Sequence, residues 1–159
     1  MVHAASRFRV RPVAAADEAA WRRLWQSYCD FYGIAIPGAV TDTLWYRLMD
    51  GSTPIHALIA ESAAPSQAAG ALAGFANFVL HPYTWGTELI CYLEDLFVEE
   101  HARGMGLGSA LIGALVQQAK ENGWPRVYWH THQLNEVARS VYDKITPPDP
   151  FVRYVVRLR

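Results

Sequence analysis

The chain changes pattern sharply between residues 89 and 115, and that change limits its possible folds. Leu89 to Val98 is a run of strand type. The segment Arg103-Gly104-Met105-Gly106-Leu107-Gly108 follows, and Leu107, Leu111, Ala114 and Leu115 then fall on one helical face. A strand, a glycine-rich turn and an amphipathic helix in this order call for a layered α/β architecture, because the apolar stripe of the helix has to be buried on a sheet. Val127 to His130 reads as the next strand, so residues 89 to 130 form a strand–helix–strand crossover that requires one parallel pair.

The rest of the chain adds mainly antiparallel elements. Phe8, Val10 and Pro12 read as a short strand, and Asp17 and Glu18 favour a helix start that runs to about Phe31. Trp21, Trp25, Tyr28 and Tyr32 share one face of that helix, as core or as the wall of a substrate pocket. Thr41 to Met49 reads as a second helix, capped by Thr41 or Asp42 and stopped at Asp50-Gly51 and Pro54. Ile55 to Glu61 and Gly70 to Leu80 read as strands on either side of a loop from Ser62 to Ala69, and a polar loop covers His81 to Glu88. Asn122-Gly123 and Pro125 end the third helix. Asn135 opens a fourth, with Val137, Val141 and Ile145 recurring until Pro147-Pro148. A last strand is expected in which Val152, Tyr154, Val156 and Leu158 face inward and Arg153, Arg157 and Arg159 outward. The expectation is a single domain over residues 1–159, α/β or α+β in class, with a mixed, mostly antiparallel sheet.

Composition narrows the function. With 52% hydrophobic and 18% charged residues the chain can bury a real core, and its net charge of −1 offers no basic field for nucleic acid or an anionic membrane surface. No nucleic acid or membrane partner is expected. Met1 to Val13 lacks the apolar run of a signal peptide, so the expected location is cytoplasmic. Cys29 and Cys91 lack metal or redox spacing and read as reduced core thiols. His130 and His132 would share a strand face, but no third ligand accompanies them, so no metal site is expected.

The alternating glycines remove Cβ atoms beside a helix start, where free N–H groups and the helix dipole favour phosphate oxygens; a pyrophosphate suits such a place. A Walker A loop is excluded because no Lys-Ser/Thr follows, and the dinucleotide fingerprint lacks its third glycine. Through Arg103, Gly106 and Gly108 the segment resembles the R/Q-x-x-G-x-G/A signature of the GNAT superfamily of acetyltransferases. Tyr92-Leu93-Glu94-Asp95-Leu96-Phe97-Val98 resembles the preceding family strand, and Asn135, Ala138 and Tyr142 resemble three positions of its later helix. The likeness spans residues 92 to 145 and is strongest to the polyamine and histone acetyltransferase branch. It departs after Tyr142, where Lys144-Ile145-Thr146 runs into Pro147-Pro148-Asp149-Pro150 in place of a Gly-Phe turn.

The resemblance implies a GNAT-type fold with helices on both faces of the sheet and acetyl-CoA as cosubstrate, held without metal. It implies that pantetheine pairs with the edge at Leu96, Phe97 and Val98. The pyrophosphate would lie against the backbone of Arg103, Gly104, Met105, Gly106, Leu107 and Gly108, with Ser109. Asn135 either touches the cofactor or caps its helix. An alkylammonium with a pKa of about 10.4 has to lose a proton before it can attack a thioester. Glu94 and Asp95 point to opposite faces of a regular strand, and the resemblance favours Glu94 as the base, directly or through water, with Asp95 the other candidate. Tyr142 would protonate the leaving thiolate. The implied acceptor is a primary amine of a polyamine-like small molecule or a lysine side chain. The alternatives are an amino acid, aminoglycoside or aminophosphonate, or a catalytically silent CoA-binding module. The branch also implies a homodimer formed through the segment after Pro150.

Overall fold

The computed structural model describes residues 8–62 and 71–158. The expected loop from Ser62 to Ala69 and the terminal residues Met1 to Ser6, Arg7 and Arg159 therefore fall largely outside the described residues. Among these, five strands form one sheet in the order β1-β2-β3-β4-β5. They are β1 (Phe8–Pro12), β2 (Ile55–Ser62), β3 (Leu72–Pro82), β4 (Leu89–Val98) and β5 (Val127–Trp129). Neighbours are antiparallel except β4 and β5, which are parallel, as the crossover requires. The helices are α1 (Glu18–Tyr32), α2 (Gly38–Met49), α3 (Leu107–Asn122) and α4 (Glu136–Tyr142). No helix among the described residues is long and apolar enough to cross a membrane.

The sheet is covered on both faces. Against α3 lie Leu58, Ala76, Cys91 and Leu93, packed on Leu107, Leu111, Ile112 and Leu115. Against α1 and α2 lie Ile59, Phe75 and Phe97, packed on Trp21, Leu24, Trp25 and Trp45. Both cysteines are free and buried, and burial pushes the Cys91 thiol up to about 12. α1 ends as Gly33 takes a left-handed φ of 63° and its N–H bonds the carbonyls of Asp30 and Cys29. Arg11 ties β1 to this face through Asp17 at 2.8 Å and Glu61 at 2.9 Å.

Several expectations need correction. α2 begins at Gly38, after Pro37, a turn before Thr41 and Asp42; Asp42 instead pairs with Arg22 of α1 at 2.8 Å. β3 extends through His81 and Pro82, which shortens the expected polar loop. β5 stops at Trp129, so His130 and His132 lie on the following loop and not on a strand. α4 ends at Tyr142 and leaves Val137 and Ile145 exposed. The expected last strand does not form: residues 151–158 have no regular structure, and Val152, Tyr154, Val156 and Leu158 are exposed. Alternation fixes which face a strand would present, but a strand also needs a neighbour to take its N–H and C=O groups, and the tail has none among the described residues.

Candidate functional site

The site begins where the sheet opens. β5 pairs with β4 only over Cys91, Tyr92 and Leu93, whereas β4 continues to Val98. From Glu94 onward the side of β4 facing β5 lacks a strand neighbour. The N–H of Glu99 bonds the carbonyl of Ala73 on β3, so antiparallel alternation turns the backbone groups of Phe97 toward β3 and those of Leu96 and Val98 toward the gap. Phe97 puts its side chain in the aromatic core. Of the three edge residues expected, Leu96 and Val98 present free-edge groups and Phe97 supports them from behind.

A β-bulge shapes the same place. The β3–β4 register passes from Asn77 opposite Asp95 to Phe78 opposite Leu93, which leaves Glu94 as the extra residue. The bulge breaks the alternation expected of Glu94 and Asp95, and both turn toward the α1 side. Glu94 lines the cleft beside Tyr28 and Tyr32 of α1. Asp95 accepts hydrogen bonds from the Tyr28 hydroxyl at 2.7 Å and the Asn77 amide at 3.1 Å. Burial, and next the charge of Asp95, raises the Glu94 carboxyl above its usual range; burial also raises Asp95, while its two donors pull it down. Glu94 thus has its carboxylate in the cleft, and that of Asp95 is engaged with Tyr28 and Asn77.

The cleft between β4 and β5 holds about 440 Å³. Leu96, Trp129, Asn135 and Tyr142 form one part of its wall; Tyr28, Tyr32, Tyr92, His130, His132 and Arg153 form another. Tyr142 rests edge-on against Trp129 at 5.5 Å between ring centroids. Burial raises its phenol, which keeps the proton on the oxygen. Asn135 is the N-cap of α4: its side-chain oxygen accepts from the Ala138 N–H at 3.3 Å, and its amide nitrogen donates to Thr131 at the same distance.

At the other end of the gap, Arg103 to Gly108 turns into α3. Gly104 and Gly106 adopt positive φ, 75° and 80°, which the turn requires. Gly108 is helical, and an added Cβ there would meet only a Leu96 methyl at 4.0 Å, so packing within the chain does not explain this glycine. Leu107 is buried and anchors the helix, while Met105 and Ser109 are exposed. The first intrahelical bond runs from Ala110 to Gly106, and the N–H groups before it point out of the helix end. The Arg103 guanidinium lies over Phe31, 4.9 Å from its centroid, and its Nε donates to the Val98 carbonyl at 3.0 Å, tying the loop to the free edge of β4. The residues present fit a phosphate-bearing acyl carrier: an open strand edge leads to a helix start with free N–H donors and no side chain over them.

Relatives share this architecture. The profile of the Acetyltransferase (GNAT) family matches residues 19–146. The chain belongs to the GNAT acetyltransferase family. It is an N-acetyltransferase, and enzymes of this family use acetyl-CoA as acyl donor. The D-amino-acid N-acetyltransferase HPA3 of Saccharomyces cerevisiae is 33% identical over 139 residues, which cover 87% of this chain and 84% of the relative. The thialysine N-epsilon-acetyltransferase of Bos taurus is 30% identical over 102 residues, covering 62% and 59%. Among solved structures, the aminoglycoside acetyltransferase AAC(6')-Iy in complex with the bisubstrate analog CoA-S-monomethyl-acetylneamine has a TM-score of 0.77 at 19% identity, covering 96% of this chain and 98% of that one.

Sequence reasoning missed Tyr92, Trp129 and Arg153 as cleft residues. It left Tyr28 and Tyr32 open between core and pocket wall, and the helix divides: Trp21 and Trp25 are core, Tyr28 and Tyr32 wall. Arg153 carried no signal, being one of several tail arginines.

Proposed function

We propose that the protein transfers an acetyl group from acetyl-CoA to a primary amine, of a small molecule or a lysine side chain, in the cleft between β4 and β5. The observation that carries this reading is the bulge, which turns Glu94 into the cleft within reach of the open β4 edge and shares that cleft with Tyr142. Leu96 and Val98 receive the pantetheine amides along the free edge. The backbone from Arg103 to Gly108, with Ser109, holds the pyrophosphate, and Asn135 caps α4 on the cleft wall. Acetyl-CoA supplies the acyl group as a thioester, whose C–S bond is exchanged for the C–N bond of the amide.

The protein residues manage two protons. Glu94, as carboxylate, takes one from the ammonium or its attacking nitrogen, directly or through water. Its raised pKa makes it a better base than an ordinary surface carboxylate. Tyr142, whose phenol burial keeps protonated, gives one to the sulfur as the C–S bond breaks; the resulting phenolate recovers its proton from solvent. Resemblance to the polyamine branch favours a slender cationic acceptor, as the name of the bovine relative does, whereas the name of the yeast relative favours an amino acid.

Thiol release from acetyl-CoA over an amine panel tests the reading, together with a thermal shift by CoA in metal-free buffer. At CoA about 100 times its Kd the stabilisation is about 2.7 kcal/mol, a rise in Tm of roughly 5–11 °C. No shift at millimolar CoA and no thiol release would overturn it. We also infer a homodimer through the tail, where Phe151, Val152, Tyr154, Val156 and Leu158 are exposed after the stiff proline stretch. Light scattering at micromolar concentration checks this, and a particle of 17.8 kDa alone would refute it.

A further inference from the structure

The cleft carries one guanidinium, and it comes from the tail. Arg153 lines the same cavity as Glu94, and its positive charge acts on the Tyr92 hydroxyl, two positions before Glu94 on β4. Tyr92 and Glu94 are separated by about 7 Å of strand. Among the described residues Arg153 makes no ion pair and no hydrogen bond, whereas Arg11 and Arg22 are each paired with two carboxylates. Glu94 is, among the described residues, the only carboxylate on the cavity wall; Asp95 is bonded to Tyr28 and Asn77. Among the described residues the wall therefore offers one anion and one unpaired cation in the same cavity.

That pattern discriminates between acceptors. A polyamine brings a second ammonium toward Arg153, which repels it, and a lysine side chain in a polypeptide brings neutral amides. A free amino acid brings an ammonium for Glu94 and a carboxylate for the planar fork of Arg153, which matches a carboxylate in two parallel hydrogen bonds. We propose that Arg153 forms a carboxylate subsite in the acceptor half of the cleft, so that the preferred acceptors are amino acids, with the amine close to a free carboxylate. This rests on the acetyl-transfer reading above and narrows it. The bond changes stay the same: C–N forms, C–S breaks, and the amine proton goes to Glu94. Arg153 takes no part in them. Its place on the unstructured tail makes specificity a property of the segment where the chain departs from the family pattern.

The test compares matched acceptors. Thiol release is measured with a panel of amino acids of both hands, each against its own carboxamide, and with spermidine and Nα-acetyl-lysine amide, for the wild type, Arg153→Gln, Arg153→Lys and Arg157→Gln. The expected result is a preference of ten-fold or more in kcat/KM for at least one amino acid over its carboxamide. Arg153→Gln should collapse that ratio toward one, chiefly through KM of the acid. Arg153→Lys should restore part of it, and Arg157→Gln, outside the cavity, should leave it intact. If spermidine or carboxamides react as well as or better than every amino acid, or if the ratio survives in Arg153→Gln, the subsite is refuted while acetyl transfer stands. No acceptor-dependent thiol release with any member of the panel would refute both.

Discussion

Under α3 the sheet is packed largely with small and aliphatic side chains, Ala60, Ala73, Ala76, Leu93, Leu111, Ile112 and Leu115 among them, around the single buried ring of Phe78. Under α1 and α2 it is packed with rings: Trp21, Trp25, Trp45, Phe75 and Phe97. The aliphatic face meets the cleft through Leu93, Leu96, Trp129 and Tyr142, whereas the aromatic face continues into it through α1. Trp25 stacks on Tyr28 at 5.2 Å, and Tyr28 meets Tyr32 at 5.0 Å, the two tyrosines forming cleft wall. Aromatic side chains have few torsions to fix, so a chain of them carries the order of a core out to a surface at low entropic cost. One face backs Tyr142 and the open β4 edge, and the other backs Glu94 and Asp95 through the α1 tyrosines.

The largest test of that division is chemical. Glu94→Gln should lower kcat/KM by about 10²–10⁴, or roughly 3–5 kcal/mol of barrier, with little change in Tm because the carboxylate holds no hydrogen bond or ion pair among the described residues. Burial and Asp95 raise the Glu94 pKa, so the base form appears only as pH climbs past the ordinary carboxylate range, and activity should rise through that point. In Glu94→Gln this acidic limb should vanish and leave only the ionisation of the amine. A limb that persisted unchanged would move the base to Asp95. Tyr142→Phe should lower kcat while leaving the acetyl-CoA affinity within a few-fold, since the ring against Trp129 remains; an unchanged kcat at saturating amine would leave Tyr142 as packing.

Next come paired substitutions on the two faces. Leu111→Ala opens a cavity in the aliphatic core and should cost about 2–5 kcal/mol of stability, with kcat intact at temperatures where the protein is folded. Tyr28→Phe removes the donor to Asp95 and should cost about 1–3 kcal/mol, but it should also raise the acceptor KM, because the carboxylate beside Glu94 is left with only Asn77. Denaturation midpoints and steady-state kinetics on both variants read this directly. A Tyr28→Phe enzyme with a lower Tm and unaltered KM would make the aromatic face a second ordinary core.

Local chemistry made the glycine turn and the helix start after it legible in the sequence. Gly104, Gly106 and Gly108 mark a turn and a bare helix start, and the crossover of residues 89 to 130 requires the parallel pair. The acceptor side depends on relations that periodicity does not carry. The bulge at Glu94 arises from β3–β4 register, a property of two strands, so alternation along β4 alone placed Glu94 and Asp95 on opposite faces. The tail shows the same limit: its alternation was plain, yet a strand needs a partner that the described residues do not provide. Arg153 reaches the cleft only through the path of that tail.

The smallest expected effect separates the glycines of the cofactor turn. Gly106 has φ of 80°, so Gly106→Ala forces a side chain into left-handed backbone and should cost about 1–2 kcal/mol in folding whether or not a ligand is present. Gly108 lies inside α3 with helical backbone, where alanine is favoured over glycine by about 0.5–1 kcal/mol. The new methyl would touch only Leu96 at 4.0 Å. Gly108→Ala should therefore raise Tm slightly. Its methyl also enters the space above the free N–H groups of α3, so the CoA Kd should rise by about ten-fold, equivalent to about 1.4 kcal/mol. Calorimetric titration with CoA and a melting curve of the free protein measure the two effects separately. Gain of stability with loss of affinity would identify Gly108 as a glycine kept for the ligand. Unchanged affinity would mean that the phosphates lie elsewhere, with only Gly104 and Gly106 required, and for the turn alone.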